Sequence, residues 1–206
     1  MAVRDLLWGC PLCRGAGTIR RAGRGERCGA CGASFRRADG ASIVATRDGS
    51  AHRRSAAEWL AILGPVEAPP PGADGRILGP ERVRVRHTRR QDPLHWSGEL
   101  LGWVEVYDKP RTGTMTLRHD GLHFRPLRDQ AIHWTPGQIT GIQPASSSLQ
   151  LGLHDRMASI RFIDGSVRLW TRALSELLRE HHRQHGRDVL ELQPCVRTCP
   201  VTRTVP

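Results

Sequence analysis

Cys10 and Cys13 form one Cys-x2-Cys pair, and Cys28 and Cys31 form a second one fourteen residues further on. No other feature restricts the folding of this chain so tightly. Two thiolates on one tight turn converge on a point, and a hairpin between the pairs brings the second two opposite the first, the arrangement a tetrahedral metal ion requires. Gly15 and Gly17 after the first pair, and Gly29 and Gly32 in and after the second, offer backbone freedom around each turn. Disulfides are the competing use of cysteine. However, the start of the chain, Met1 to Trp8, is short and carries Arg4 and Asp5, unlike an export signal, so the thiols are expected to be reduced in the cytoplasm. Four thiolates close the coordination shell and leave no position for water, which predicts a structural site with Zn2+ as cofactor. Metal-free cysteines and an iron site are the alternatives.

The charge is uneven. The chain of 206 residues carries a formal +11, almost all of it from arginine, with Lys109 the only lysine. Residues 1–37 hold eight arginines (Arg4, Arg14, Arg20, Arg21, Arg24, Arg27, Arg36 and Arg37) against Asp5 and Glu26, a balance of 8 − 2 = +6. Arg20, Arg21, Arg24 and Arg27 lie on the hairpin between the cysteine pairs. They are the candidate nucleic-acid-binding residues, because guanidinium forks match phosphate oxygens and release counterions. A solvated basic hairpin is the plainer reading, since no aromatic residue lies between Trp8 and Phe35 to stack on bases.

Beyond the cysteines, Ser34–Arg37 and Ser42–Thr46 read as a hairpin about Ala38-Asp39-Gly40-Ala41, which ends a first unit at residues 1–47. Residues 48–64 contain a short helix: in SAAEWLAIL, Ser55 is an N-cap, Glu58 completes a capping box, and Gly64-Pro65 stops the helix. Residues 65–79 read as a linker, with four prolines and two glycines between Pro65 and Gly75. A second domain is expected over 80–192, where a period of two predicts strands. Val83 and Val85 alternate with arginines, Leu100–Val106 is apolar, and Met115 and Leu117 lead through Asp120-Gly121 to Leu122 and Phe124. Ala131–Ile142 and Ser148–Leu153 supply further strands, and Ile160–Phe162 is expected to pair through Asp164-Gly165 with a strand Val167–Trp170. The period then becomes helical over 171–185, with Leu174, Leu177 and Leu178 on one face, and Gly186 ends the helix. Val189–Leu192 adds a last edge strand, and residues 193–206, which hold Cys195 and Cys199, a flexible tail. The fold class expected is mainly β with a C-terminal capping helix.

Two resemblances follow from these segments. Residues 8–35, WGCPLCRGAGTIRRAGRGERCGACGASF, resemble a zinc ribbon of the rubredoxin-like knuckle type. Residues from about 95 to 186 resemble the PH-like superfamily and its bacterial GRAM-like members, through GTMTLRHDGLHF, AIHWTPGQITGI and IRFIDGSVRLWTRALSELL. The second resemblance implies a β-barrel closed by a terminal helix, with one edge or rim presented to a protein or a membrane.

Catalytic signals are sparse. His87 and Asp92 have the His-x4-Asp spacing of glycerolipid acyltransferases, a spacing chance supplies readily among ten histidines. His181, His182 and His185 cluster on the last helix, where a helix C-terminus favours cations. Trp96, Trp103, Trp134 and Trp170 are expected in the core or rim of the sheet. No nucleophile with its base and no phosphate-cradling loop is present, so no catalytic residue is assigned. The expected function is that of a non-enzymatic adaptor with a protein partner and no small-molecule substrate; nucleic-acid binding through the cysteine unit and binding of anionic lipid through the second domain are the alternatives.

Overall fold

The computed structural model describes residues 2–39, 42–66, 72, 74–145 and 147–186. The tail with Val189–Leu192, Cys195 and Cys199 lies outside them. The chain is mainly β, with a long C-terminal helix. A helical turn α1 (Val3–Leu6) precedes a five-stranded antiparallel sheet of β1 (Ile19–Ala22), β2 (Gly25–Cys28), β3 (Ser34–Arg37), β4 (Ser42–Arg47) and β5 (Ser50–Ser55), ordered as in the sequence. The β3–β4 hairpin is the one expected from sequence. β5 is not, although Asp48-Gly49 signals it: both residues have positive φ, 51° and 80°, and the two-residue turn sets the register Arg47↔Ser50. Helix α2 (Ala56–Leu63) follows, and Ser55 and Glu58 form the predicted reciprocal cap. The helix turns Trp59 inward, where its indole N–H donates to the Ile43 carbonyl at 3.1 Å.

The expected linker extends less far than its composition suggested. Gly72, Asp74 and Gly75 form a turn closed by Gly72 N–H to Arg76 O at 2.7 Å, and residues 76–79 already belong to the strand β6 (Arg76–Trp96). This long strand has three neighbours. Its first half lies between β8 (Arg111–Arg118) and β13 (Met157–Phe162), while Thr88–Trp96 leaves the sheet and pairs only with β7 (Glu99–Tyr107). The remaining strands are β9 (Gly121–Pro126), β10 (Ile132–Trp134), β11 (Ile139–Pro144) and β12 (Ser148–Leu153). The segment read as one strand from Ala131 to Ile142 is thus two, divided by a 3-10 turn at Pro136–Gln138, because Pro136 cannot donate to a ladder.

The main path, β10-β9-β8-β6-β13-β12-β11, is open. The closed barrel expected from the resemblance is not formed, and helix α3 (Val167–Gln184) covers the sheet instead. This helix also corrects a strand assignment. Val167–Trp170 was expected to pair with Ile160–Phe162, yet it is the first turn of α3, with Trp170 N–H donating to Ser166 O at 3.1 Å. Four residues of alternation fit either period. Val167, Trp170, Leu174 and Leu178 recur at helical spacing and are all buried, so the longer pattern prevails.

The two halves share one core. Leu7, Trp8, Ile19 and Phe35 belong to the same apolar cluster as Val83, Leu122, Ile160 and Trp170. Gly17, with φ of 61°, lies so close to the start of α3 that a Cβ there would come 2.9 Å from Leu169 Cδ2. Across the same junction Arg20 donates to the Asp164 carbonyl at 3.1 Å and pairs with buried Glu81 at 2.5 Å.

Burial pushes the Glu81 carboxyl above its ordinary value, against the opposing pull of Arg20. Because the folded-state value is raised, Glu81 ionisation disfavours the folded state increasingly as pH climbs from about 4.5 through that value. Arg20→Ala removes the opposing cation and leaves an unpaired buried carboxylate, so it is expected to cost about 1–3 kcal/mol at neutral pH. That deficit should narrow as pH falls and Glu81 takes up a proton. Urea unfolding of variant and wild type at pH 7.5 and 5 checks this, and an equal deficit at both would contradict it.

Candidate metal centre

Each cysteine pair lies on a knuckle, and the two knuckles have the same hydrogen bonding. Arg14 N–H donates to Cys10 O at 2.7 Å and Gly32 N–H to Cys28 O at 3.0 Å, while Cys10 N–H donates to Gly15 O at 2.9 Å and Cys28 N–H to Ala33 O at 2.7 Å. In both, the residue after the second cysteine is left-handed, Arg14 at φ 57° and Gly32 at φ 74°. Glycine adopts that conformation without steric cost. Arg14 adopts it at a cost, on the order of 1 kcal/mol. Neither Gly15 nor Gly29, expected to supply turn freedom, has positive φ; Gly17 and Gly32 do. The equal steps of five residues from Cys10 to Gly15 and from Cys28 to Ala33, each with its second cysteine three residues in, are the sequence signal of this equivalence.

The knuckles face one another. Cys10 Sγ is 3.7 Å from Cys31 Sγ, Cys13 Sγ is 3.7 Å from Cys28 Sγ, and all four sulfurs lie within 4.8 Å of each other. A tetrahedron with metal–sulfur bonds of about 2.3 Å has edges of about 3.8 Å, so the four free thiols fit a single ion. All four ligands named from sequence are therefore brought together.

Their surroundings differ. Burial pushes the Cys10 thiol well up, and burial raises Cys13 as well. At Cys28 burial acts the same way but is outweighed by the Thr18 hydroxyl and the Cys31 and Ala30 amides, which together bring it down to about 6. The Thr18 oxygen lies 3.2 Å from Cys28 Sγ and the Cys31 N–H 3.4 Å. The Cys31 N–H donates to Cys28 Sγ and so favours a thiolate there, whereas Cys10 needs a cation to displace its proton.

The four arginines between the knuckles do not form one surface. Arg20 is engaged with Glu81 and Asp164, and the Arg27 Nε–H donates to Gly32 O at 2.8 Å, which ties the arginine to the second knuckle. Arg21 and Arg24 are exposed. The ladder places Arg20 opposite Arg27 and Arg21 opposite Glu26, so the set is divided between two faces. Glu26 itself is buried beneath α1, accepting from the Val3 and Arg4 amides and pairing with the Arg4 guanidinium at 2.7 Å.

His87 and Asp92 do not meet. His87 is buried, with Nδ1 3.1 Å from Arg111 Nη2, and burial followed by the Arg111 charge lowers its pKa. Asp92 lies five residues further out on the same strand, paired with Arg90 at 3.0 Å, some 16 Å away at about 3.3 Å per residue. An open cleft of about 550 Å³ beside His87 is lined by Arg111, His133, His154, Asp155 and Arg156 among others, with no serine, threonine, cysteine or lysine in its wall among the described residues.

The β6–β7 ribbon is a second candidate surface. Beyond the sheet it is anchored at its base, where the Arg86 guanidinium stacks 4.2 Å over the Tyr107 ring and the Tyr107 hydroxyl donates to Glu105. Trp96, expected in the core or rim, is 72% exposed at the tip, with Leu101 at 61% and Leu100 at 53%; Leu94 and Val104 are also exposed. Trp134 and Trp170, in contrast, are buried as expected. No family model matches this chain, and no curated protein matches it in sequence. No helix among the described residues is long and apolar enough to cross a membrane.

Proposed function

We propose that this protein is a non-enzymatic recognition module in which a zinc ribbon, built by Cys10, Cys13, Cys28 and Cys31 around structural Zn2+, braces a PH-like sheet whose β6–β7 ribbon binds a protein partner. Zinc fits because four thiolates at tetrahedral spacing suit a soft, geometrically undemanding ion, and a closed shell leaves no position for substrate. The observation that carries the recognition reading is the apolar tip at Leu94, Trp96, Leu100, Leu101 and Val104. An isolated two-stranded ribbon is marginal in water, and large apolar side chains exposed along it favour a cover. Charge identifies the class of cover. Between Thr88 and Tyr107 the ribbon holds Arg89 and Arg90 against Asp92, Glu99 and Glu105, which is 2 − 3 = −1 in a chain of +11. Nucleic acid and anionic lipid select positive surfaces. This surface, neutral to slightly acidic and apolar at its centre, suits a protein with a complementary apolar face.

A photo-crosslinking residue at position 100 in the intact protein tests the proposal, with the same residue at exposed position 125 as control. The expected result is a discrete protein adduct from position 100 alone. The purified partner should then bind the wild type at least tenfold more tightly than Trp96→Asp, about 1.4 kcal/mol or more. Adducts to lipid or nucleic acid, or equal binding by Trp96→Asp, would refute it. Folding is not at stake, because Trp96 is exposed.

A further inference from the structure

The turn between β8 and β9 and the neighbouring strand β10 bring together three metal-ligating side chains far from the cysteines. His123 and His133 face each other across the β9–β10 ladder, with rings 4.1 Å apart and 14° from parallel. Both present Nε2 to the same residue: His123 Nε2 lies 2.8 Å from Asp120 Oδ1, and His133 Nε2 lies 3.0 Å from the Asp120 carbonyl and 3.7 Å from Oδ2. One ligand atom from each of the three residues lies within 4.8 Å of the others.

The turn is held rigidly to β10. Gly121, at φ 133°, packs so tightly that a Cβ would fall 2.1 Å from the Trp134 carbonyl oxygen, so Asp120 is held against His133 by backbone contact and not by side-chain chance. We propose that Asp120, His123 and His133 form a second metal site, which takes Zn2+ or a related divalent transition metal reversibly. Imidazole nitrogen and carboxylate oxygen bind such ions at about 2.0–2.2 Å, which separates neighbouring ligand atoms in a tetrahedron by about 3.3–3.6 Å, within the range of the 2.8 and 3.7 Å that already separate the two Nε2 atoms from the Asp120 carboxylate. Each Nε2 now faces an acceptor oxygen and so carries a proton. To bind an ion, each ring must hold its proton on Nδ1 and offer the Nε2 lone pair. Three protein ligands leave a coordination position for water, and all three side chains reach solvent. The site is therefore open and exchangeable, unlike the closed cysteine shell, and is independent of the recognition reading above.

The nearest competitor is the pair His181, in the last turn of α3, and His185, which caps it, with rings 4.3 Å from each other. The test uses the full chain, carrying whatever ion its cysteines retain, in a His181→Ala/His185→Ala background and titrated calorimetrically with Zn2+. One further equivalent is expected to bind, and Asp120→Asn, His123→Ala and His133→Ala are each expected to weaken it at least tenfold without releasing metal from the cysteines. No further equivalent, or one indifferent to all three substitutions, overturns the proposal. A measurement on the wild type guards against misfolded variants: substoichiometric Ni2+ should broaden the imidazole resonances of His123 and His133. Broadening confined to other histidines, or none, also overturns it.

Discussion

Cys28→Ser, or removal of the metal by a chelator, is expected to unfold the first sheet while leaving much of the second in place. Structural tetrathiolate sites in small domains contribute on the order of 10 kcal/mol of metal-binding free energy, and that energy is folding energy. Buried about the two knuckles are only Trp8, Ile19, Ala33 and Phe35 besides Cys10 and Cys28 themselves, so the ion is expected to carry much of the local stability. Without the ion, burial of Cys10 in particular opposes a thiolate there, and four sulfurs with edges near 3.7 Å have nothing to hold them. Hydrogen exchange read by mass spectrometry is the measurement. Amides in β1 and β2 should lose nearly all protection, and amides in β8 and β9 should keep most of theirs. Acid should have the same effect, because the ligands bind metal only when deprotonated. Unchanged protection of β1 and β2 after chelation, with no metal recovered, would refute the centre altogether.

Trp170→Ala is expected to cost about 3–5 kcal/mol, the usual penalty for a large aromatic removed from a core that cannot collapse around the loss. Trp170 is 2% exposed in the first turn of α3, with its ring 5.0 Å from that of Phe162 on β13. It fastens the helix to the sheet at the point where Leu169 also meets Gly17 of the N-terminal half. Urea unfolding followed by far-ultraviolet dichroism would measure the loss. A penalty below about 1 kcal/mol would mean that α3 does not depend on this contact.

The same residue shows where local pattern fails. Val167–Trp170 alternates apolar with arginine on one side, which fits a strand; its helical identity emerges only together with Ala173, Leu174 and Leu178, one to two turns later. The hairpin Ser34–Arg37/Ser42–Arg47, the Ser55–Glu58 capping box and the Asp120-Gly121 turn were legible because each rests on contacts within a few residues. Among the described residues the sheet stays open. Closure would need β10 and β11, separated only by the 3-10 turn, to pair with each other, and whether they do depends on where the rest of the sheet carries each of them, which no local pattern records.

That Cys10, Cys13, Cys28 and Cys31 would converge was legible in the residues alone, because two-residue spacing on a turn constrains where sulfurs can point wherever that turn is placed. The β-rich character and the terminal helix were legible in the same way, from periodicity. Long-range packing set the rest: Arg20 bridges to Glu81 instead of joining a basic patch, Trp96 lies on an exposed ribbon while Trp170 is buried, and His123 and His133 meet over Asp120. Composition cannot distinguish these fates: an arginine, a tryptophan or a histidine reads the same in either role until strand pairing sets which surface it reaches.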